Sequence, residues 1–298
     1  MILIAGATGM LGGMITQQLL AQGKDVRILV RHNSPSEALA AQGLATRAGT
    51  LVDAGAEPVY GDLKDRKSLD RAMAGVDTVL TTANSAMRGG EDNPDTVERW
   101  GNRNVIDAAK AAGVKHLIFT SMLGADPASP APFVRGKGET EVYLRQSGLT
   151  HTILSPNFFA EVWVGMVVGA PLGAGQPVTL VGEARRKHSI VSMADVAAFG
   201  VAAVDNPAAR NATIVIGGPE AVSWRDIVAG VEHVIGQELP LRFAQPGEPV
   251  PLLPEGAQGL VAGMDSYDSP VPMADTAATY GVTLTPLPTV LQRMFGGH

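Results

Sequence analysis

Ile2-Leu3-Ile4-Ala5 is followed directly by Gly6-Ala7-Thr8-Gly9-Met10-Leu11-Gly12, and this stretch of the 298-residue chain decides its fold class. The four apolar residues predict a short buried strand, the glycines predict a tight turn, and the residues beyond them predict a helix. In such a junction Gly6 permits the turn, Gly9 keeps side-chain atoms away from the backbone, and Gly12 lets the helix lie close to the strand. The first N–H groups of the helix then point at one spot, where the positive end of the helix dipole stabilises an anion.

The spacing G-x-x-G-x-x-G after a strand favours the pyrophosphate of a dinucleotide as that anion. A glycine triplet alone is a weak signal, because an ordinary strand–turn–helix junction has the same composition. Further strand and helix pairs follow along the chain, as a dinucleotide-binding fold requires. The predicted contacts to the dinucleotide come from Gly6, Thr8, Gly9, Met10, Leu11 and Gly12.

Apolar runs that end in small or polar residues alternate with helical stretches, a pattern typical of right-handed βαβ units. The predicted strands are 2–5, 26–31, 57–60, 78–81, 116–121 and 152–154, and the predicted helices are 10–22, 67–74, 96–112 and 134–146. Gly23, Gly75, Gly113 and Gly148 each follow a helix, where a left-handed cap is expected. We therefore predict an α/β protein with a Rossmann-type, doubly wound parallel sheet.

The strand and helix pattern loosens after residue 156, and nine of the twenty prolines lie between Pro240 and Pro288. Such a stretch suits a lid over the carboxyl ends of the strands better than it suits a sheet core. We predict a dinucleotide-binding domain over residues 1–155. Residues 156–298 are expected to form mainly a smaller substrate-binding lobe and lid, with some segments returning to the Rossmann core.

Composition argues against several classes of protein. The 23 basic and 29 acidic residues give a net charge of −6, which disfavours a nucleic-acid-binding surface. Without cysteine the chain has no disulfide, no zinc–thiolate site and no thiol nucleophile, and no metal cofactor is expected. No apolar run approaches the roughly 18 to 20 residues of a membrane helix, and the first residues lack the charged start of a signal peptide. These features predict a cytoplasmic protein that does not act at a membrane.

Three further motifs accompany the glycine turn. They are Val30-Arg31-His32 after the second strand, Gly61-Asp62-Leu63 after the third and Ser155-Pro156-Asn157-Phe158-Phe159 after the sixth. With them the chain resembles the atypical short-chain dehydrogenases/reductases, specifically the NmrA-like and isoflavone-reductase-like group, from Met1 to about Val204. The resemblance implies a Rossmann-type fold and an NAD(P) cofactor.

Cofactor choice depends on the end of the second strand, where Arg31 is followed by His32, Asn33 and Ser34 without an acidic residue. An acidic residue at this position accepts hydrogen bonds from the adenosine ribose of NAD, whereas arginine binds the 2′-phosphate of NADP in a charge-assisted fork. The sequence therefore favours NADP over NAD. The alternative is that Arg31 is a solvated charge beside a nearby carboxylate.

The resemblance implies further cofactor contacts. Asp62 would accept the adenine amine and Leu63 would cover the ring, although Asp62 also suits a turn-stabilising role. The segments expected at the second ribose and at the nicotinamide are Thr82, Ala83 and Asn84, and Pro156, Asn157 and Phe158. The second of these segments is equally a signal for the start of a helix.

The reaction centre departs from the wider family, in which a serine and a Tyr-x-x-x-Lys pair surround the substrate carbonyl. Ser121 matches the serine and Lys137 the lysine, but Phe133 stands where the tyrosine is expected. Tyr143 lies nearly on the opposite helix face from Lys137 and is expected to pack in the core. The isoflavone-reductase-like resemblance implies that Lys137 itself assists proton transfer. The alternatives are a Lys137 that binds the nicotinamide ribose and a surface lysine paired with Glu141 at i+4.

Apolar and sulfur-containing side chains are frequent in the segments expected near a substrate. The predicted substrate contacts are Met122, Phe133, Phe158 and Trp163, with Met166, Met264 and Tyr267 in neighbouring segments. A pocket lined in this way suits an aromatic or cyclic substrate. His188, with Arg185, Arg186 and Lys187, either holds an anionic substrate or forms a basic surface loop, and the loop is favoured.

Two functions follow from these observations. The first is an NADPH-dependent reductase that transfers hydride to a small enone, quinone, imine or carbonyl compound. Ser121, Lys137 or water would stabilise the negative charge that develops on the acceptor. The second, which the NmrA-like resemblance allows, is a non-catalytic NADP sensor that binds a partner protein. The retained lysine favours the reductase and the missing tyrosine favours the sensor. A homodimer or a regulatory protein partner is compatible with either.

Overall fold

The computed structural model describes residues 1–32, 40–41, 45–86 and 88–297. The chain divides into two compact units, and neither unit is one continuous segment. The first unit consists of Met1–Ser155, Val196–Ile214 and Thr279–Val282, and the second of Pro156–Asp195, Val215–Ala278 and Thr283–His298.

The strands of the described residues form one large sheet and one small sheet. They are β1 Ile2–Ala5, β2 Val26–Val30, β3 Glu57–Tyr60, β4 Thr78–Thr81, β5 His116–Thr120, β6 His151–Pro156, β7 Val178–Val181, β8 Ala212–Ile216 and β9 Leu241–Ala244. The large sheet has the order β3-β2-β1-β4-β5-β6-β8, and the small sheet pairs β7 with β9. The predicted strands are confirmed to within two residues at each end.

Parallel pairing in the large sheet runs from β3 through to β6. Ala5 at the end of β1 is paired with Leu29 of β2 on one side and with Thr81 of β4 on the other. The carboxyl ends of these strands therefore meet at one edge of the sheet, where ligands bind in open α/β folds. The predicted Rossmann-type, doubly wound sheet is confirmed.

The helices surround these strands in chain order. They are α1 Met10–Ala21, α2 Ala48–Asp53, α3 Arg66–Ala72, α4 Asn102–Ala111, α5 Pro132–Gln146, α6 Ala160–Val164, α7 Ala170–Gly173, α8 Met193–Asp205, α9 Trp224–Ile235, α10 Glu255–Met264, α11 Ala274–Tyr280 and α12 Leu287–Phe295. The predicted left-handed caps are confirmed, since φ is +72° at Gly23, Gly75 and Gly113 and +80° at Gly148. None of the helices in the described part of the chain is long and apolar enough to cross a membrane.

The predicted helix 96–112 differs from the structure in its first half, because Asp95–Gly101 is a π-helix that continues into α4. The Asn102 side chain inserts at the junction, where its amide donates to the carbonyl oxygens of Val97, at 3.0 Å, and Glu98, at 3.4 Å. An inserted amide of this kind satisfies carbonyls that the wider turn leaves without α-helical partners.

The second half of the chain contains elements that the sequence pattern did not predict. Helix α8 is apolar on all sides, so hydrophobic periodicity gave no signal for it. Helix α9 starts with a capping box between Ser223 and Asp226.

Each unit has its own hydrophobic core. In the first unit, Leu3, Val79 and Leu117 of the sheet are buried together with side chains of α3, α4 and α5. In the second unit, side chains of β7, α9 and α12 are buried together. Each core stabilises its unit by removing apolar surface from water.

Candidate cofactor and active site

The turn between β1 and α1 has the backbone geometry of an anion site. Gly6 has φ +90°, a conformation that side chains disfavour, and it accepts a hydrogen bond from the Gly9 N–H at 3.0 Å. Gly9 is the N-cap of α1, and the Gly13 N–H donates to the Gly9 oxygen at 2.8 Å. Among the described residues no side chain caps this end of the helix. The N–H groups of residues 10–12 therefore precede the first helical hydrogen bond and can bind a ligand.

The three glycines of the turn differ in what surrounds them. A Cβ atom on Gly12 would overlap the Gly6 oxygen, and one on Gly6 would lie 2.7 Å from Thr82 Oγ1. A Cβ on Gly9 would meet only the Gly6 oxygen, at 3.3 Å. Gly6 and Gly12 are therefore required by packing within the protein, whereas Gly9 keeps open the space above the helix start. The turn fits a bound pyrophosphate.

The end of β4 lies against this turn. Thr82 donates its hydroxyl to the Gly6 oxygen at 3.2 Å, and Ala83 follows it at the edge of the sheet. Asn84 is exposed, and its amide donates to the Thr82 oxygen at 3.2 Å. The structure thus brings these three predicted cofactor residues next to the glycine turn.

Arg31 has carboxylate neighbours that its sequence context did not show. Its Nη1 lies 2.6 Å from Asp92 Oδ2 and 4.0 Å from Asp62 Oδ2. The alternative of a carboxylate beside Arg31 is therefore observed, although the partner is 61 positions away in the chain. Asn33 and Ser34, which entered the prediction of cofactor choice, lie outside the described residues.

Asp62 and Leu63 follow β3 in a hydrogen-bonded turn. Asp62 Oδ1 accepts from the Lys64 N–H at 2.8 Å, which is the turn-stabilising role left open by the sequence. Leu63 is partly buried and packs against the core of the first unit. Contacts of these two residues to adenine stay a prediction.

Lys137 is buried, so the interpretation of a surface lysine paired with Glu141 is wrong. Its side chain is 3% exposed, and its Nζ donates to the Thr120 oxygen at the end of β5 at 2.8 Å. Burial lowers the pKa of Lys137, and the carboxylates of Glu98 and Glu141 partly offset this effect. The Phe133 ring, which replaces the expected tyrosine, has its centroid 5.8 Å from Lys137 Nζ.

Glu98 is a functional candidate that sequence reasoning missed. It lies on the π-helix and is fully buried, and its carboxylate accepts from the Ser85 N–H and from the Ser85 hydroxyl, both at 2.7 Å. A Cβ on Gly136, the residue before Lys137, would lie 2.8 Å from Glu98 Cβ, so α5 and the π-helix are in close contact there. Burial raises the pKa of Glu98, while Lys137 and the Ser85 hydrogen bonds act in the opposite direction. The buried Lys137 and Glu98 side chains therefore belong to the same polar cluster.

Ser121 belongs to this polar region through Glu141. The Ser121 hydroxyl donates to Glu141 Oε1 at 2.5 Å, and Arg145 binds the other carboxylate oxygen at 2.9 Å. Ser121 and the Lys137 Nζ atom thus both lie at the end of β5, and their catalytic roles stay predictions. Tyr143 donates its hydroxyl to Asp107 on α4 and packs against the core, so it does not replace the missing catalytic tyrosine.

The second unit contains a cluster of rings centred on His188. The Phe158 and Tyr267 rings each meet the His188 ring edge-on at 5.5 Å between centroids, and Trp163 meets Phe158 in the same way. Tyr267 is 46% exposed, while Phe158 and Trp163 are half-buried. The cluster presents apolar ring surface, as expected for a site that receives a ring-containing compound.

His188 was expected in a basic surface loop, and this is wrong for His188 itself. Arg185, Arg186 and Lys187 are exposed, but His188 is buried. Its Nε2 donates to the Met264 oxygen at 2.9 Å, and its Nδ1 is 2.7 Å from Ser269 Oγ. With both ring nitrogens bonded and its pKa lowered by burial, His188 is not arranged to bind an anion.

The remaining predicted contacts fall in both units. In the first, Met122 is half-buried in the loop after β5. In the second, Pro156 ends β6 and the Asn157 amide donates to Ser269, so that Asn157 fixes the chain that carries Phe158. Their contacts to cofactor or substrate stay predictions.

A parallel sheet with an uncapped helix start beyond a glycine turn defines a dinucleotide-binding protein of Rossmann type. The model of the NmrA-like family matches residues 1–267, and the chain belongs to this family. The predicted resemblance is thereby confirmed.

Three relatives cover most of the chain. An NADPH-dependent quinone oxidoreductase of Escherichia coli, solved in complex with NADPH, matches 99% of this chain and 100% of its own with a TM-score of 0.78 at 25% identity. An NAD(P)H azoreductase of Xenophilus azovorans is 29% identical over 90% of this chain and 83% of its own length. A (4-alkanoyl-5-oxo-2,5-dihydrofuran-3-yl)methyl phosphate reductase of Streptomyces griseus is 34% identical over 83% of this chain and 77% of its own length.

Proposed function

We propose that this protein is an NADPH-dependent reductase of a small cyclic or aromatic acceptor, such as a quinone, enone, imine or carbonyl compound. The observation that carries the proposal is a buried lysine at the end of β5 in a protein whose glycine turn is built to hold a pyrophosphate. The relatives named above include reductases that use NADPH or NAD(P)H, and their acceptors include quinones.

Residues of the first unit would hold NADPH. The N–H groups of Met10, Leu11 and Gly12 would bind the pyrophosphate, and the Arg31 guanidinium would bind the 2′-phosphate. NADPH supplies the hydride when it is bound. The protein orients the cofactor and supplies the group that transfers the proton.

Lys137 is the best placed proton donor among the predicted catalytic residues. Its lowered pKa makes the buried ammonium a stronger acid than an exposed lysine, and its hydrogen bond to the Thr120 oxygen fixes Nζ at the end of β5. The Ser121 hydroxyl already donates its proton to Glu141. We therefore assign the proton transfer to Lys137 rather than to Ser121. The hydride and the lysine proton together complete a two-electron reduction.

The acceptor class is inferred from the rings of the second unit. Phe158, Trp163 and Tyr267 offer flat apolar surfaces, which stack favourably with aromatic and quinonoid compounds. The missing phenol at Phe133 favours acceptors that need less acid assistance than a simple ketone.

The test is oxidation of NADPH, followed by its absorbance, against a panel of quinones, enones, imines, aromatic aldehydes and azo compounds. Turnover of at least one class, with one product formed per NADPH consumed, is expected. The NADP sensor predicted as the alternative requires the opposite result: NADPH binds, no acceptor supports oxidation, and a partner protein is retained only when NADP is present. The predicted cytoplasmic location stays a prediction, and both a homodimer and a regulatory protein partner stay open.

A further inference from the structure

Three cationic side chains of the first unit converge on the carboxylate of Asp92. Arg31 Nη1 lies 2.6 Å from Asp92 Oδ2, Lys64 Nζ lies 2.6 Å from Asp92 Oδ1, and Arg88 Nη1 lies 3.3 Å from Asp92 Oδ2. These residues come from three separate parts of the sequence, after β2, after β3 and after β4. Asp92 itself lies outside any helix or strand.

The cluster is partly exposed to water and, among the described residues, carries excess positive charge. The Asp92 side chain is 15% exposed, and its three cationic partners are 25 to 30% exposed. Asp62, the second carboxylate nearby, lies 4.0 Å from Arg31 and 3.7 Å from Lys64, which leaves three cations for two carboxylates. Burial opposes ionisation of Asp92, but hydrogen bonds from Lys64 and Arg31 outweigh it and hold the pKa of Asp92 below its usual range.

Cationic side chains arranged in this way are also suited to bind a phosphate group. A phosphate presents several acceptor oxygens to arginine forks and lysine ammonium groups, and a single carboxylate surrounded by three cations uses the same donors. The cluster includes Arg31, which the proposed function assigns to the 2′-phosphate. The side chains of Arg31, Lys64 and Arg88 can therefore bind either the Asp92 carboxylate or the 2′-phosphate.

We propose that Asp92 is an internal competitor for the 2′-phosphate of NADPH, and that it sets how strongly the protein prefers NADPH to NADH. The proposal rests on the proposed function and adds a specificity-determining residue to it. When the 2′-phosphate binds, Asp92 must give up part of its contacts with Arg31, Lys64 and Arg88. NADH, which lacks this phosphate, leaves those contacts intact, so the Asp92 carboxylate weakens the binding of NADPH alone.

The test substitutes Asp92→Asn in the full chain and measures dissociation constants for NADPH and NADH. The same titrations with adenosine 2′,5′-bisphosphate and with AMP isolate the contribution of the 2′-phosphate. NADPH and the bisphosphate are expected to bind about tenfold more tightly, the size of one charge-assisted contact, while NADH and AMP bind as before. Asp95→Asn is the matched control, because Asp95 is an exposed acidic residue nearby whose ion pair is with Arg99.

Asp92→Ser removes the same charge with a smaller side chain and must shift the constants in the same direction, so the test does not depend on one variant folding well. Unchanged or weaker binding of NADPH by these variants would overturn the proposal, because Asp92 would then organise the cations rather than compete for them. A loss confined to NADH would also overturn it and would make Asp92 an acceptor for the ribose hydroxyls. If the parent protein binds neither nucleotide, the proposed function fails, which is a different result.

Discussion

Lys137 combines a charge with nearly complete burial, and a residue of this kind is stable only with suitable neighbours. An unpaired ammonium loses several kcal/mol of hydration in a protein interior, so it either deprotonates or finds opposite charge and hydrogen-bond acceptors. Lys137 has the Thr120 oxygen as an acceptor and the Glu98 and Glu141 carboxylates to favour its charged form. Burial therefore lowers the pKa of Lys137, and the carboxylates on the π-helix and on α5 partly offset this effect.

The first prediction concerns Lys137→Met, which keeps the length of the side chain but removes its proton. Turnover is expected to fall by roughly 10² to 10⁴, the range for loss of a general acid, while the dissociation constant of NADPH changes little. Steady-state rates and a direct binding titration measure the two effects. Lys110→Met on the exposed end of α4 is the control and should leave both unchanged.

Equal losses of rate and binding would instead place Lys137 on the cofactor ribose. An unchanged rate would exclude both roles.

The second prediction concerns Arg31→Ala. Loss of a charge-assisted contact to the 2′-phosphate should weaken NADPH binding by about 1.5 to 3 kcal/mol and leave NADH binding nearly the same. Titration of both nucleotides measures the difference. If both affinities fall equally, Arg31 serves the local ion pairs and does not recognise the phosphate.

At the scale of elements, the glycine turn and the π-helix position the chemistry. The turn needs Gly6 for its left-handed backbone and Gly12 for contact with the Gly6 oxygen. The π-helix directs Glu98 inward, where it bonds to Ser85 in the loop after β4. The loop after β4 and the end of β5 are thus connected by one polar cluster.

The third prediction separates cofactor binding from folding within the turn. Gly9→Val should abolish NADPH binding with a small change in thermal stability, because its new side chain fills the space above the helix start. Gly12→Val should destabilise the protein itself, because its Cβ would overlap the Gly6 oxygen. Thermal unfolding and NADPH titration of both variants distinguish the two effects. Undiminished NADPH affinity in the Gly9 variant would contradict the assignment of the turn.

Sequence alone predicted the elements whose signals are local. The strand and helix alternation placed β1 to β6 and the helices α1, α3, α4 and α5 but not α2, and four glycines marked helix ends with positive φ. Lys137 and Ser121 were found because the spacing of a known motif identifies them.

The remaining parts depend on contacts between distant residues. Glu98 becomes a candidate only through the π-helix and the packing of Gly136, and Asp92 reaches Arg31 from 61 positions away. The burial of Lys137 could not be decided from the sequence, because an i+4 glutamate also suits a surface helix. Helix α8 gave no periodic signal because it is apolar on every side.

At the scale of the whole molecule, a buried histidine makes folding sensitive to pH. His116 is fully buried at the start of β5, and its Nε2 is 2.8 Å from Thr152 Oγ1, which in turn donates to the Ala209 oxygen. Within the described residues its Nδ1 has no hydrogen-bond partner. Burial, with smaller contributions from Arg210 and His151, lowers the pKa of His116 to about 4.

The fourth prediction follows from this shift. Between about pH 6.5 and pH 4 the unfolded chain takes up a proton on His116 that the folded chain does not, so the free energy of unfolding should fall as the pH decreases through this range. The His116 contribution is on the order of 3 kcal/mol over the whole window. Urea unfolding at several pH values, for the parent and for His116→Gln, measures it. A variant whose stability has the same pH dependence as the parent would show that His116 is not the group responsible.

Each unit is built from separate segments of the chain, and this affects what a fragment of the protein would contain. Five times along its length the chain passes from one unit to the other, so neither unit corresponds to a continuous fragment. A fragment ending at Ser155 would lack β8, the neighbour of β6 in the large sheet, and α8, whose Gly200 packs against Ile15 and Leu154. Strand β6 would then be an unprotected sheet edge, ready to pair with another chain. The return of the chain to the first unit therefore covers the β6 edge, independently of any role in binding or catalysis.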